Sequence, residues 1–418
     1  MLIKGNIPQK EPIISIGLVL PEDKQQSILI TDLNSKKTFI VKVNKNSILI
    51  NDKKVQGEFI LKGNKNQIFN LDRVSAGRGF HWAKKISLNI NGRLLIRNIN
   101  GTLFIVNQIA LEKYLICVAT SEMSSSCPIA LLESQTIAAR SWILAAEEQK
   151  HTNLNIDACN DDCCQRYQGL NNITDLATKA VLNTRGYVLT HQSKICDTRY
   201  SKSCGGISEN NENVWHDKPK PYLRSVYDSR AEDVPDLKDN DKLTKWILNP
   251  GSCFCDTRKM ESNKLIGYLG DVDENGSYFR WEYSINQDQL CKLINLKLET
   301  SFEQIDSLKP IKRGASGRII ELKIQGYSLN KLINKTLKSE YEIRRVLHSK
   351  FLYSSAFIII TKLNKNLTPT QFKFKGAGWG HGVGLCQIGA LNMALNNYSS
   401  NKILFHYFQN TKLEKIYD

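Results

Sequence analysis

A chain of 418 residues, 41% hydrophobic and 23% charged, can bury a sizeable core and has the make-up of a folded protein of two or three structural units, not of a disordered one. Its formal net charge of +16 favours an acidic partner, but the basic residues are scattered and form no stripe interleaved with aromatics, so nucleic acid is not the expected ligand. No stretch of roughly twenty apolar residues occurs, so no membrane span is expected, and the first twenty residues, interrupted by Pro8, Lys10, Glu11 and Pro12, show no export signal.

From Gly17 to Val106 the apolar pattern is short and alternating, as in "TFIVKV", "ISLNI", "RLLIRNI" and "LFIV". Asn91-Gly92 and Asn100-Gly101 between such runs read as hairpin turns, which predicts an antiparallel β region over 1–106. The period then changes. Leu111, Tyr114, Leu115 and Val118 follow i, i+3, i+4, i+7 and describe one apolar helix face, ending near "TSEMSSS" with Glu122 at its C-terminal end. A second helix is expected from Pro128 through "IALLESQTIAARSWILAAEEQ", and a third at "ITDLATKAVLNT" before Gly186.

"GYVLTHQSKICDTRYSKSCGGISE" gives two strand-like runs and a glycine pair. From 232 to 370 the composition shifts to charged and mixed elements, with strands at "RIIELKIQG" and "AFIIITKL" around a helix, "YEIRRVLHS". The chain ends with a strand, "FKFKG", the run "GAGWGHGVGLCQIGA" and a helix. The expected fold is therefore α+β. An antiparallel β-rich region (1–106) precedes a mixed helical and strand core (107–231 with 371–418), into which a second lobe (232–370) is inserted.

Six glycines in the fifteen residues from Gly376 to Ala390 suggest a phosphate cradle, but the run lacks the terminal Lys and Ser/Thr of a P-loop, and Leu385 breaks the dinucleotide spacing begun at Gly380. Bare backbone beside Trp379 and His381 suits a sugar ring instead, which stacks on aromatic faces and needs close approach. Tyr200 and Ser201, near Gly205-Gly206, offer hydroxyls of the kind that bind sugars, although a strand-to-turn transition explains the same letters. Glu122, among small and apolar neighbours, has the setting of a general acid, as against the commoner solvated glutamate.

Of eleven cysteines, Cys159, Cys163 and Cys164 lie close together in "CNDDCCQRYQG" and suit a thiophilic ion such as zinc, with His151 as a fourth ligand; three core thiols are the alternative.

Taken in order, "LEKYLICVATSEM", "SQTIAARSW", "CNDDCCQRYQG", "TRGYVLT", "YSKSCGGISENNENVW", "PYLRSV" and "GWGHGVGLCQIGA" resemble the SpoIID/LytB family of bacterial cell-wall proteins. That family includes a lytic transglycosylase acting on peptidoglycan glycan strands stripped of stem peptides, and members described as enhancers of a cell-wall amidase. The resemblance implies Glu122, in the S-E-M motif, as the catalytic acid and action in the periplasm or at the cell surface. It implies peptidoglycan glycan strands, and for enhancer members an amidase, as partners. Arg140, Tyr200, Ser201, Trp379, His381 and Gln387 become the expected glycan contacts, with Arg140 paired to the lactyl carboxylate of muramic acid. No cofactor is required for such chemistry. Zinc is the expected metal if one is held, though Cys163 stands where zinc-binding members carry a histidine.

Overall fold

The computed structural model describes residues 2–63, 66–79, 83–148, 150–215, 218–231, 233–258, 260–269 and 276–418. It is an α+β protein that divides into two units, one of Met1–Thr198, Ile266–Asp273 and Lys412–Asp418, the other of Arg199–Leu265 and Glu274–Thr411.

Beside a smaller three-stranded sheet, the first unit carries two large antiparallel-rich sheets. One has the order Ala158–Cys159, Ile13–Val19, Thr102–Ala110, Arg93–Ile99, Glu58–Lys62; the other runs Lys53–Val55, Ser47–Ile50, Thr38–Asn44, Ser27–Asp32, Phe69–Ala76, Lys84–Ile90. Asn100-Gly101 is the two-residue hairpin expected: both residues have positive φ, and Ile99 pairs with Thr102. Asn91-Gly92 is not. The strands on either side of it belong to different sheets, so this turn passes the chain from one sheet to the other.

Helix Leu111–Glu122 continues directly from strand Thr102–Ala110 and buries Leu111, Tyr114, Leu115 and Val118 in the core that the strands build. A boundary at 106/107 therefore falls inside one packed body. Helix Ile129–Ala145 is buried on nearly every side, with Pro128 as its N-cap, and stops four residues short of the expected end; Gln149 lies outside the described residues. The third helix is Asp175–Asn183, capped by the Thr174 side chain. The C-terminal strand Lys412–Lys415 pairs with Tyr187–His191.

In the second unit, strands Arg280–Asn286, Pro369–Ala377 and Phe357–Leu363 make one sheet, and Gln304–Arg313, Ile319–Ser328 and Lys331–Leu337 another. Helices Gln287–Leu298 and Glu340–Val346 contribute Leu290, Ile294, Ile343 and Val346 to a core with Phe357, Phe372 and Phe374. The inserted lobe expected to begin at 232, itself outside the described residues, is larger than composition suggests. Tyr200–Ser201 pairs in parallel with Leu385–Cys386, Ser203 bridges Trp379 and Glu209 bridges Val383. Both flanks of the insertion thus fold with it.

Candidate functional site

Glu122 is the last residue of helix Leu111–Glu122, half-buried, with Val118 and Met123 fully buried beside it. Its Oε1 accepts the backbone N–H of Arg166 at 2.9 Å. One residue earlier, Ser121 Oγ accepts the N–H of Gln168 at 3.0 Å and donates to the Cys117 carbonyl at 2.6 Å. The end of this helix is thereby laced to the segment 165–168.

That segment is itself fixed. Tyr114 donates to Gln165 Oε1 at 3.0 Å, Gln165 Nε2 donates to the Ala139 carbonyl at 3.1 Å, and Tyr167, stacked on Tyr114, donates to Asn107 Oδ1 at 2.9 Å. Upstream, Asp161 accepts the N–H groups of Gly77 and Arg78, and the Arg78 guanidinium spans Asp23, Asn160 and Asp161. The N–H facing Glu122 is held by contacts on three sides. Sequence reasoning misses Arg166, because a backbone donor leaves no side-chain signature.

Between these anchors His151, Cys159, Cys163 and Cys164 bring four donor atoms within 4.8 Å of one another. Cys159 and Cys163 Sγ are 3.1 Å apart, and Cys163 Sγ is 3.7 Å from His151 Nε2. Zinc–sulfur bonds of ~2.3 Å in a tetrahedron set sulfurs ~3.8 Å apart, so three thiols and one imidazole are the right donors for such an ion, with the Cys159–Cys163 pair, at 3.1 Å, having to open to hold it. The imidazole absent at position 163 is present from His151 instead. Hydrogen bonds from Cys159 and Cys163 draw the Cys164 thiol well below its ordinary range, while hydrogen bonds with Cys163 and Cys164, then burial, push Cys159 up.

Arg140 corrects an expectation. It is fully buried, its Nε and Nη2 paired with Glu112 at 2.9 and 2.6 Å and its Nη1 donating to the Tyr187 carbonyl at 3.0 Å. Glu112 also accepts Tyr417 Oη at 2.6 Å. A guanidinium closed off in this way joins two helices, a strand and the C-terminus and does not reach a glycan carboxylate.

The remaining candidates lie in the second unit. Ser201 Oγ and Gln387 are buried, so neither presents a group to a sugar; both serve the pairing of Tyr200–Ser201 with Leu385–Cys386 and the helix that follows. Tyr200, Trp379 and His381 are half-buried. Trp379 packs against Tyr353 and Tyr278 with ring centroids 4.4 and 4.9 Å away. His381 accepts the Val383 N–H at Nδ1 and meets the edge of Trp215, whose face carries the Arg199 guanidinium at 4.4 Å. Burial, then the charges of Arg199, Arg318 and Arg344, hold the His381 imidazole well below its ordinary pKa, so it is neutral.

The glycine run is explained by close packing. A side chain at Gly382 would meet the fully buried Arg318 guanidinium at 2.3 Å, and one at Gly384 would meet the Arg199 carbonyl at 2.1 Å; both residues have positive φ.

Residues 99–191 match the family model described as Stage II sporulation protein, and residues 209–384 match one described as a domain of unknown function, DUF8618. An uncharacterized protein of Brachyspira hyodysenteriae is 25% identical over 76% of this chain and 70% of its own length. The amidase enhancer of Bacillus subtilis is 23% identical over 71% of this chain, which spans only 39% of that protein, and stage II sporulation protein D of Bacillus amyloliquefaciens is 22% identical over 74% of this chain and 76% of its own. The resemblance carried by the sequence motifs is thus borne out as similarity: residues 99–191, which hold Glu122 and the cysteine cluster, match the stage II sporulation protein model, in a chain similar at low identity to stage II sporulation protein D and to an amidase enhancer.

Proposed function

We propose that the chain acts on the cell wall as a lytic transglycosylase of peptide-free peptidoglycan strands, with Glu122 as its general acid and base, in the periplasm or at the cell surface. The observation that carries this reading is the half-buried Glu122 carboxyl at a helix end, oriented by the Arg166 N–H. The negative end of the helix dipole disfavours a fixed negative charge there, while the Arg166 N–H stabilises the carboxylate that forms once the proton has been given. In the reaction Glu122 gives its proton to the glycosidic oxygen as the bond to the anomeric carbon breaks. The carboxylate then takes the proton of the muramic acid 6-hydroxyl as that oxygen bonds to the same carbon. No water is consumed, and the intramolecular attack supplies the effective molarity that lets one carboxyl suffice.

Zinc held by His151, Cys159, Cys163 and Cys164 would serve as a structural cross-link that keeps segment 158–168 in shape. Arg166, two residues past Cys164, would inherit that order and pass it to Glu122. In the other unit Tyr200, Trp379 and His381 are the side chains proposed to touch glycan. The net charge of +16 suits an acidic polymer.

A second reading, a glycan-binding enhancer of an N-acetylmuramoyl-L-alanine amidase, is favoured by the similarity to the amidase enhancer over 71% of this chain. An amidase assay on intact peptidoglycan separates the two. Stimulation that is fully retained by Glu122→Gln, with no glycan cleavage by the wild type, supports the enhancer; cleavage by the wild type alone supports the enzyme.

A further inference from the structure

A second cluster of four donors, none of them a ligand of the first, sits in the second unit. Cys204 follows the bridge between Ser203 and Trp379, and Cys386 is the N-cap of helix Gln387–Leu395. Asp228 is held by its N–H on the Gly206 carbonyl, and its own carbonyl accepts the N–H of Phe254, next to Cys255. All four side chains are buried, and their donor atoms lie within 4.8 Å of one another. Cys204 Sγ is 3.6 Å from Cys255 Sγ and 3.5 Å from Asp228 Oδ2, while the Cys204 N–H points at Cys386 Sγ from 3.2 Å.

The carboxylate is oriented as a ligand would be. Tyr407 Oη donates to Oδ1 at 2.7 Å and the Cys255 N–H to Oδ2 at 3.0 Å, while His406 Nε2 stands 3.6 Å from Oδ1. Metal-bound carboxylates are typically fixed by such outer hydrogen bonds. Three core thiols alone would be unremarkable. Three thiols converging on a fully buried carboxylate whose oxygens are fixed by outer hydrogen bonds are not, because they bring soft sulfur donors and one oriented oxygen donor to a single point.

We propose that Cys204, Asp228, Cys255 and Cys386 form a second metal site, for one thiophilic, tetrahedral divalent ion of the zinc type. Binding releases the protons of the thiols that become ligands. The sulfur spacing of 3.6 Å matches the ~3.8 Å of a tetrahedral zinc–thiolate pair. The ion would be structural, tying together four segments remote in sequence, and the inference stands whether or not the chain cleaves glycan.

The test is metal stoichiometry on the full chain, loaded with cobalt(II) or zinc and freed of excess. The wild type is expected to hold two ions, the Cys159→Ser/Cys163→Ser variant one, with a sulfur-to-cobalt charge-transfer band persisting. Asp228→Asn, nearly isosteric, is expected to lose one ion relative to wild type, as is Cys386→Ser. A folded Cys159→Ser/Cys163→Ser variant that binds no cobalt overturns the site, as does a folded Asp228→Asn chain with wild-type stoichiometry. The cysteine double variant decides the matter even where substitutions at the second cluster unfold the protein.

Discussion

The Glu122 carboxyl accepts its hydrogen bond from the backbone of Arg166, not from the guanidinium, which is turned to Asp162 at 3.0 and 3.2 Å. The two parts of Arg166 can therefore be tested separately. Arg166→Ala keeps the N–H and should retain most of the glycan-cleaving activity. Arg166→Pro removes it, and since a hydrogen bond to a charged group is worth ~1.5–3 kcal/mol, turnover should fall roughly tenfold or more. Steady-state rates on peptide-free strands, with circular dichroism to confirm folding, make the comparison; equal rates for the two variants would remove the proposed orienting role.

Arg140 and Glu112 form a buried bidentate pair, and removal of one partner strands the other charge. Arg140→Ala should cost about 3–5 kcal/mol of stability, whereas the double change Arg140→Met/Glu112→Leu should cost much less. Denaturant unfolding measures both. A folded Arg140→Ala chain with wild-type stability and weakened glycan binding would restore the substrate contact that the structure denies.

This pair shows where the sequence stops being informative. Helix Leu111–Glu122 is legible because its apolar period of 3.6 is local, and the Asn100-Gly101 hairpin because positive φ at two adjacent residues needs those side chains. Asn91-Gly92 has the same letters but positive φ only at Gly92, and it changes sheets, a choice made by tertiary pairing. Arg140 and Glu112 are 28 residues apart, and nothing near either predicts that they face each other. Glu122 is marked by its motif, while its partner on Arg166 is a main-chain group. Ser201 and Gln387 are expected from their motifs to touch glycan, and their burial is not legible because the pairing of 200–201 with 385–386 is non-local.

His381 provides a pH signature. Its imidazole is held neutral in the fold, so below about 6.5 the unfolded chain takes up a proton that the folded chain does not. This contribution is constant above that pH, and stability is lost as pH falls from the unfolded value towards the depressed folded one. Unfolding free energies of wild type and His381→Gln, measured at pH values from about 7.5 to 5, should show a shallower acid-side loss in the variant. Parallel curves would mean that His381 titrates normally.

Gly382 and Gly101 both have positive φ, but only Gly382 faces an obstacle, the Arg318 guanidinium; nothing lies within 4 Å of a side chain at Gly101. Gly101→Ala should therefore cost only backbone strain, about 1 kcal/mol, and Gly382→Ala clearly more, because the buried Arg318 must also move. Melting temperatures of the two variants rank them, and equal shifts would contradict the cradle around Arg318.

The most direct test of the central claim is mass spectrometry of peptide-free glycan strands after incubation with the wild-type chain and with Glu122→Gln. Fragments with 1,6-anhydro-muramic ends from the wild type alone are the predicted result. Intact strands in both samples, or reducing ends formed by addition of water, would contradict lytic cleavage through Glu122.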